Sequence, residues 1–117
     1  MAAASVADRL KHISRSIAAV EDYWVGKTLT DFLATEPLRA ATERHLLIIS
    51  EAVRFIPDQD KAEHPQIPWQ DIAGIGNILR HGYDIVDPER IWNVVQYDLA
   101  ALQTAVDQIS QRYAASS

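Results

Sequence analysis

Apolar residues recur at steps of three and four along almost the whole chain, and this spacing limits the possible fold more than any other feature. Residues spaced in this way share one face of an α-helix, whereas a half-buried strand would alternate apolar and polar residues. The first such stripe of apolar residues comprises Val6, Leu10, Ile13, Ile17, Val20 and Trp24. Further stripes run from Leu38 to Ile56, from Ile72 to Leu79 and from Ile91 to Tyr113. The sequence therefore predicts an all-α, up-and-down bundle of four to five helices.

Proline and glycine predict where the first three helices begin and end. Gly26 ends or follows the first helix, and residues 28–33 could form a short second helix. Thr35 precedes an acidic residue and Pro37, which is the pattern of a helix start. Pro57 should end the third helix, because proline disrupts the helix interior.

The second half of the chain is divided by similar signals. Residues 58–66 are polar and predict the one clear loop. Pro68 opens a fourth helix, which should stop at Gly82 in a left-handed cap. Asp87 starts a fifth helix that continues to the C-terminus. An apolar strip left exposed on so thin a bundle would favour a dimer, whereas stripes that all face the internal core would not.

Composition narrows the class of protein. The 117 residues suit a single domain over 1–117, with short disordered ends expected at 1–4 and 114–117. The absence of cysteine excludes disulfides and thiolate metal sites and fits a cytoplasmic location. We find no secretory signal, and no apolar run approaches the roughly 20 residues of a membrane span. The net charge of −5 argues against a broadly basic surface, so any RNA contact requires a local cluster.

The segment 74–84 carries the densest chemistry in the chain. It places Asn77, Arg80, His81 and Tyr83 within seven residues at the end of a predicted helix. His81 could act in acid–base chemistry, because an imidazole exchanges protons near neutral pH. The alternative is a capping or core histidine that donates to a helix-terminal carbonyl.

The other polar side chains of this segment also allow two interpretations each. Tyr83 could bind phosphate, stack on a base or accept a modification, or it could be a half-buried aromatic that fixes the following loop. Asn77 could line a cleft or lie on the helix surface. Arg80 could clamp a phosphate, remain solvated, or pair with Asp84 or Asp87.

Candidates elsewhere are weaker. His12, His45 and His64 show no metal-binding spacing with carboxylates, and no HExxH motif occurs, so we expect no metal and no cofactor. Residues 43–44 and Glu51 on the third helix read as a solvated face, with a cleft lining as the alternative.

Several segments together resemble the HepT-like toxins of the HEPN superfamily. The resemblance rests on residues 43–52, on Ile67-Pro68-Trp69, on 77–83 with its Asn, Arg-His and Tyr, and on Val86-Asp87 and Ile91-Trp92. It runs from about Leu10 to Ile109, with the segments in the same order and at similar spacing.

The resemblance implies a fold, an activity and partners. Such proteins are dimeric helical bundles, and many are metal-independent ribonucleases that act as toxins of type VII toxin–antitoxin pairs. We therefore expect a homodimer, RNA as substrate, a nucleotidyltransferase antitoxin as partner, and no DNA or membrane. The family motif is an arginine, four to six intervening residues and then a histidine, with a tyrosine two places after the histidine. By this resemblance His81 is the catalytic histidine, Asn77 is the polar residue after the arginine, and Tyr83 is the AMP acceptor.

The position of the family arginine is occupied by Gly76, which departs from the pattern. Losing one group that stabilises the transition-state charge typically costs about 10²–10³ in rate. Arg80 lies four residues later on the same helix face, and helical side chains lean toward the N-terminus. We therefore hypothesise a transposed arginine, in which Arg80 clamps phosphate over the space that Gly76 leaves.

Two functions remain open at this point. The retained Asn77, His81 and Tyr83 favour a ribonuclease toxin that cleaves RNA at a dimer cleft. The missing arginine and the acidic charge favour a catalytically weak or inactive HEPN module, which binds nucleotide or RNA or regulates a partner nucleotidyltransferase.

Overall fold

A computed structural model describes residues 5–82 and 86–114, and the described chain is helical with no strand, which confirms the all-α bundle. The helices are α1 (Val6–Trp24), α2 (Leu29–Ala34), α3 (Glu36–Val53), α4 (Asp58–Ala62), α5 (Trp69–His81), α6 (Pro88–Asn93) and α7 (Leu99–Ala114). A π-helical turn, Val94–Asp98, joins α6 and α7 into one continuous run.

The long helices bury the predicted stripes against one another. Helix α1 packs on α3 and α7, and α3 packs on α5, so α3 connects the centre of the bundle with the helix that carries the polar segment. Every member of the first stripe except the half-buried Val6 is buried. Burial of these apolar side chains is the main favourable term in forming the bundle.

The first two helices begin at capping boxes. Ser5 Oγ accepts the Asp8 N–H while the Asp8 carboxylate accepts the Ser5 N–H, and Thr28 and Asp31 repeat this arrangement. These hydrogen bonds lower the pKa of both carboxyl groups below the usual range. Gly26 has a positive φ of 72°, which confirms that it follows the end of α1 in a conformation that favours glycine.

Helix boundaries in the middle of the chain differ from the prediction. Helix α3 ends at Val53 rather than at Pro57, because residues 54–56 tighten into a turn with hydrogen bonds to carbonyls three residues back. Pro57 instead precedes α4, which forms within the predicted loop 58–66. This short helix is held by tertiary contacts that local sequence does not reveal, since its Asp60 is buried and accepts hydrogen bonds from Arg112 and Tyr113.

The end of α5 also differs from the prediction. Gly82 has a φ of −127°, so the predicted left-handed cap is wrong. Its N–H donates to the Ile78 carbonyl oxygen at 2.7 Å, which closes the last turn without a left-handed residue. Among the helices of the described residues, none is both long and apolar enough to cross a membrane.

The π-helical turn brings Asp98 close to Asp71 of α5. Burial raises the pKa of the half-buried Asp98 carboxyl, and the negative charge of Asp71 raises it further. Because the folded pKa lies above the unfolded one, the contribution of Asp98 to stability is greatest in acid and is lost as pH rises through the folded pKa. At neutral pH the folded chain therefore carries an unfavourable charge at this position.

Replacing Asp98 by Asn should stabilise the protein at pH 7. The change removes the buried charge and its repulsion by Asp71, and the gain should stay below about 1 kcal/mol because water screens a half-exposed group. Thermal unfolding at pH 7 and at pH 3 checks this expectation. The two proteins should differ at pH 7 and coincide at pH 3, where Asp98 is protonated; equal midpoints at both values would contradict it.

Candidate functional site

The candidate site lies at the C-terminal end of α5, where two of the predicted residues share an exposed face. Asn77 and His81 are one helical turn apart and are both exposed. Within the part of the chain that the structure describes, neither side chain has a hydrogen-bonding partner. Because its side chain is exposed, the interpretation of His81 as a core histidine is wrong.

Arg80 faces a different element. Its Nη1 donates to Glu51 Oε1 of α3 at 2.6 Å, and the two side chains are 38% and 41% exposed. The predicted partners were Asp84, which lies outside the described residues, and Asp87. The partner that forms is 29 residues away in sequence. A contact of this range depends on how α3 and α5 cross, so local spacing could not have identified it.

The ion pair changes the titration of Glu51. The hydrogen bond from Arg80 lowers the pKa of this carboxyl below its usual value of 4.5, and the nearby charges of Arg80, Arg54 and Arg9 lower it further. Since the folded pKa is depressed, the pair contributes to stability above pH 4.5, and this contribution is lost as pH falls through the folded value. At neutral pH the carboxylate is charged and neutralises part of the field of Arg80.

Gly76 lies at the closest approach of α5 to α3. A Cβ atom added there would meet Ser50 Oγ at 2.0 Å, Ser50 Cβ at 3.2 Å and Leu47 Cδ1 at 3.3 Å. The prediction that Gly76 leaves room for the Arg80 guanidinium is therefore wrong, because α3 fills that space. The guanidinium does lie over α3, as the shared helix face requires, but it binds Glu51 instead.

The predicted AMP acceptor, Tyr83, lies outside the described residues, as do the ends 1–4 and 115–117. The role of Tyr83 therefore stays a prediction. The structure brings Asn77, Arg80 and His81 to one helix end and divides them between two faces.

An apolar groove of about 260 Å³ runs beside the exposed face of α5. Ile78, which lies between Asn77 and His81 in sequence, is partly exposed and contributes to its wall. The groove is formed by Ile75, Ile78, Leu79, Val86, Asp87, Arg90, Ile91 and Val94. The polar face of α5 thus adjoins a mostly apolar groove.

Another histidine forms a hydrogen-bonded chain away from this site. The ring of His45 lies 3.2 Å from Tyr23 Oη and 3.0 Å from Ser16 Oγ, and so links α3 to α1. Ser16 is buried, which keeps its hydroxyl from any substrate. We interpret this chain as a structural contact. Among the described residues, no group of three or more His, Asp or Glu side chains could hold a metal ion.

Comparison with known proteins identifies a family. The family model described as "Ribonuclease HepT-like" matches residues 13–109. A "Probable ribonuclease HepT" from Thermococcus cleftensis is 32% identical over 87% of this chain and 93% of the relative. A "Putative RNase" from Caldanaerobacter subterraneus is 31% identical over 88% of this chain and 92% of the relative.

A longer relative shares the same region. A Methanocaldococcus jannaschii protein described as "Gamma-glutamylcyclotransferase and putative RNase" is 33% identical over 87% of this chain, and the match spans 46% of that relative. No solved structure matches the chain significantly.

Proposed function

The chain belongs to the HepT-like ribonuclease family, and from this premise we propose that it is a metal-independent endoribonuclease, the toxin of a type VII toxin–antitoxin pair. The observation that carries the proposal is the exposed ring of His81, which has no hydrogen-bonding partner among the described residues and lies on the same helix face as Asn77. Cleavage would take place in a cleft between two copies of the chain. The apolar groove next to this face supports such a dimer.

The proposed chemistry uses the 2′-hydroxyl of RNA as nucleophile. As this oxygen attacks the adjacent phosphorus, its proton passes to a base, and the bond to the 5′-oxygen of the next nucleotide breaks. His81 is the group placed to transfer protons, and Asn77 can donate a hydrogen bond to the phosphate. Arg80 is the cation next to His81 that can stabilise the added negative charge. For Arg80 to do so, its bond to Glu51 has to open.

Regulation of this activity follows from the family relationship. We propose that a nucleotidyltransferase encoded as antitoxin transfers AMP from ATP to the hydroxyl of Tyr83, two residues after His81, and releases pyrophosphate. An adenylyl group at that position would add bulk and negative charge beside the phosphate-binding residues, and both would oppose RNA binding.

A second function is favoured by the resemblance together with one observation. By the resemblance Gly76 stands in the place of the family arginine, and in the structure Glu51 neutralises the arginine that could substitute for it. The chain would then be a catalytically weak or inactive module that binds RNA or nucleotide, or regulates a partner nucleotidyltransferase.

Cleavage of RNA by the purified protein separates the two functions. We expect the wild type to cleave single-stranded RNA in the presence of EDTA, and His81→Ala to be slower by about 10²–10⁴-fold, the usual contribution of a general acid–base group. His12→Ala is the matched control, because it removes a histidine from α1 and should retain full activity. Intact RNA with the wild type, or equal cleavage by His81→Ala, would support the second function.

A further inference from the structure

Three arginines lie near the C-terminal end of α3: one from α1, one from the turn that follows α3 and one from α5. Arg80 of α5 binds Glu51 at 2.6 Å, and Arg54, which follows α3, donates to the Ala73 carbonyl oxygen at 3.4 Å. The guanidinium of Arg9, in α1, stacks over the ring of Phe55 at 3.7 Å from the ring centroid. We call Arg9, Arg54 and Arg80 the arginine cluster.

The residues that hold the arginine cluster occupy one end of α3. Glu51, Arg54 and Phe55 are three and four residues apart, so they lie within one turn and face the same way. All three arginines of the cluster act on the Glu51 carboxylate. The positive charges outnumber the negative one in a chain whose net charge is −5. The lowered pKa of Glu51, which all three arginines influence, agrees with this arrangement.

Toward the part of the chain that the structure describes, the arginine cluster leaves hydrogen-bond donors unused. There, Arg80 binds through a single nitrogen, and the exposed Arg54 makes one long bond. Among the described residues, the Arg9 guanidinium has no hydrogen-bonding partner, and its buried Nε is unsatisfied. Stacking on Phe55 leaves the edge of that guanidinium available. A planar guanidinium offers five N–H donors in a geometry that matches phosphate oxygens.

We propose that the arginine cluster binds the phosphate backbone of single-stranded RNA beside His81, and that Glu51 occupies Arg80 until a phosphate displaces it. This inference rests on the proposed function and deepens it, because it provides the local basic surface that RNA binding by an acidic chain requires. Glu51 presents carboxylate oxygens to Arg80 at 2.6 Å, as a phosphate would. Phe55, which is 48% exposed, adds an aromatic surface at the same helix end.

Glu51 thus has two opposite effects. It keeps Arg80 positioned over α3, and it competes with RNA for the same guanidinium. Removing the negative charge of Glu51 should therefore tighten RNA binding, whereas removing a positive charge from the cluster should weaken it and reduce its dependence on salt.

Fluorescence anisotropy with a 2′-O-methyl RNA oligonucleotide measures binding alone, because this RNA has no 2′-hydroxyl to attack its own backbone. We expect Glu51→Gln to bind about fivefold more tightly, and Arg9→Gln and Arg54→Gln each to bind about fivefold more weakly. Each arginine substitution should also reduce the slope of log affinity against log salt by about 0.7.

Two variants with matched charge changes control for the net charge. Glu63→Gln removes one negative charge from an exposed ion pair of the same 2.6 Å length, formed with Arg112. Lys27→Gln removes one positive charge just after the C-terminal end of α1, whereas Arg9 lies near the N-terminal end of the same helix. Binding by both controls should match the wild type. Circular dichroism of each variant verifies that the helical fold is retained.

The outcomes separate this inference from the proposed function. Equal affinities of Glu51→Gln and Glu63→Gln, or of both arginine variants and Lys27→Gln, would overturn the inference. Cleavage of unmodified RNA by the wild type is measured in parallel. Cleavage together with unaltered affinities in all variants would reject only the arginine cluster as the RNA-binding surface. The expected affinity changes without any cleavage would support the cluster and reject the ribonuclease.

Discussion

Gly76→Ala should destabilise the protein, whereas the same substitution at Gly74, two residues earlier in the same helix, should stabilise it. At Gly76 the new methyl group would lie 2.0 Å from Ser50 Oγ and in tight contact with Ser50 Cβ and Leu47 Cδ1. Overpacking of this kind typically costs about 1–3 kcal/mol. At Gly74 no heavy atom lies within 4 Å, and alanine is favoured over glycine in a helix by roughly 0.5–1 kcal/mol.

Urea unfolding of the two alanine variants tests this difference in sign. The double variant Ser50→Ala/Gly76→Ala serves as the control for the cause, because it removes the nearest atom while Ser50 Cβ and Leu47 Cδ1 remain. It should recover part of the stability that Gly76→Ala loses. If Gly76→Ala is as stable as Gly74→Ala, the close approach of α3 and α5 at Gly76 is wrong.

The packing at Gly76 also determines what an arginine at this position would do. Gly76→Arg would direct a long charged side chain into the contact with Ser50 and Leu47, so we expect a larger loss of stability than for alanine. The two helices would have to separate, and their separation would disturb the bond between Arg80 and Glu51. The glycine at position 76 is therefore coupled to the packing of α3 against α5.

The regular parts of the fold followed from the sequence because they depend on local patterns. The stripe from Val6 to Trp24 defined α1 and its buried face, and Gly26 marked its end. The buried polar positions of α3 could not be predicted in the same way. Thr42 and Ser50 are fully buried at contacts with other helices. Thr42 accepts a hydrogen bond from the Trp24 indole, and Ser50 packs against Gly76.

In the candidate site, too, local sequence patterns do not reveal contacts between helices. The helix end, His81 and Asn77 were predictable, because helix periodicity fixes which residues share a face. The partner of Arg80 was not, since Glu51 reaches it only after α3 and α5 have packed together. The arginine cluster depends on three helices at once, so local spacing within any one of them gives no indication of it.

The aromatic cluster at the end of α1 should give the second large effect on stability. Trp24 is 3% exposed, and its ring centroid lies 4.8 Å from that of Phe32 and 5.9 Å from that of Trp92. These contacts hold α2 and α6 against α1. Trp24→Ala should therefore lower the free energy of unfolding by about 3–5 kcal/mol, as expected for truncation of a buried large aromatic. Tyr97→Ala is the matched control, because Tyr97 is 76% exposed and should change stability by less than about 0.5 kcal/mol.

Trp24 Nε1 donates a hydrogen bond to Thr42 Oγ1 at 2.7 Å. Removing the acceptor should leave a buried group unpaired, whereas removing the donor should not. Thr42→Val would leave the indole N–H buried without an acceptor, which should cost about 1–3 kcal/mol. Trp24→Phe removes the donor, and the Thr42 hydroxyl still donates to the Leu38 carbonyl oxygen at 2.7 Å, so no buried donor is left unpaired. Urea unfolding of Thr42→Val, of Trp24→Phe and of the double variant Trp24→Phe/Thr42→Val gives the cost of Thr42→Val in both backgrounds. If the indole N–H is the costly group, removing it should make Thr42→Val much less damaging. An equal cost of Thr42→Val in both backgrounds would show that the hydrogen bond contributes nothing.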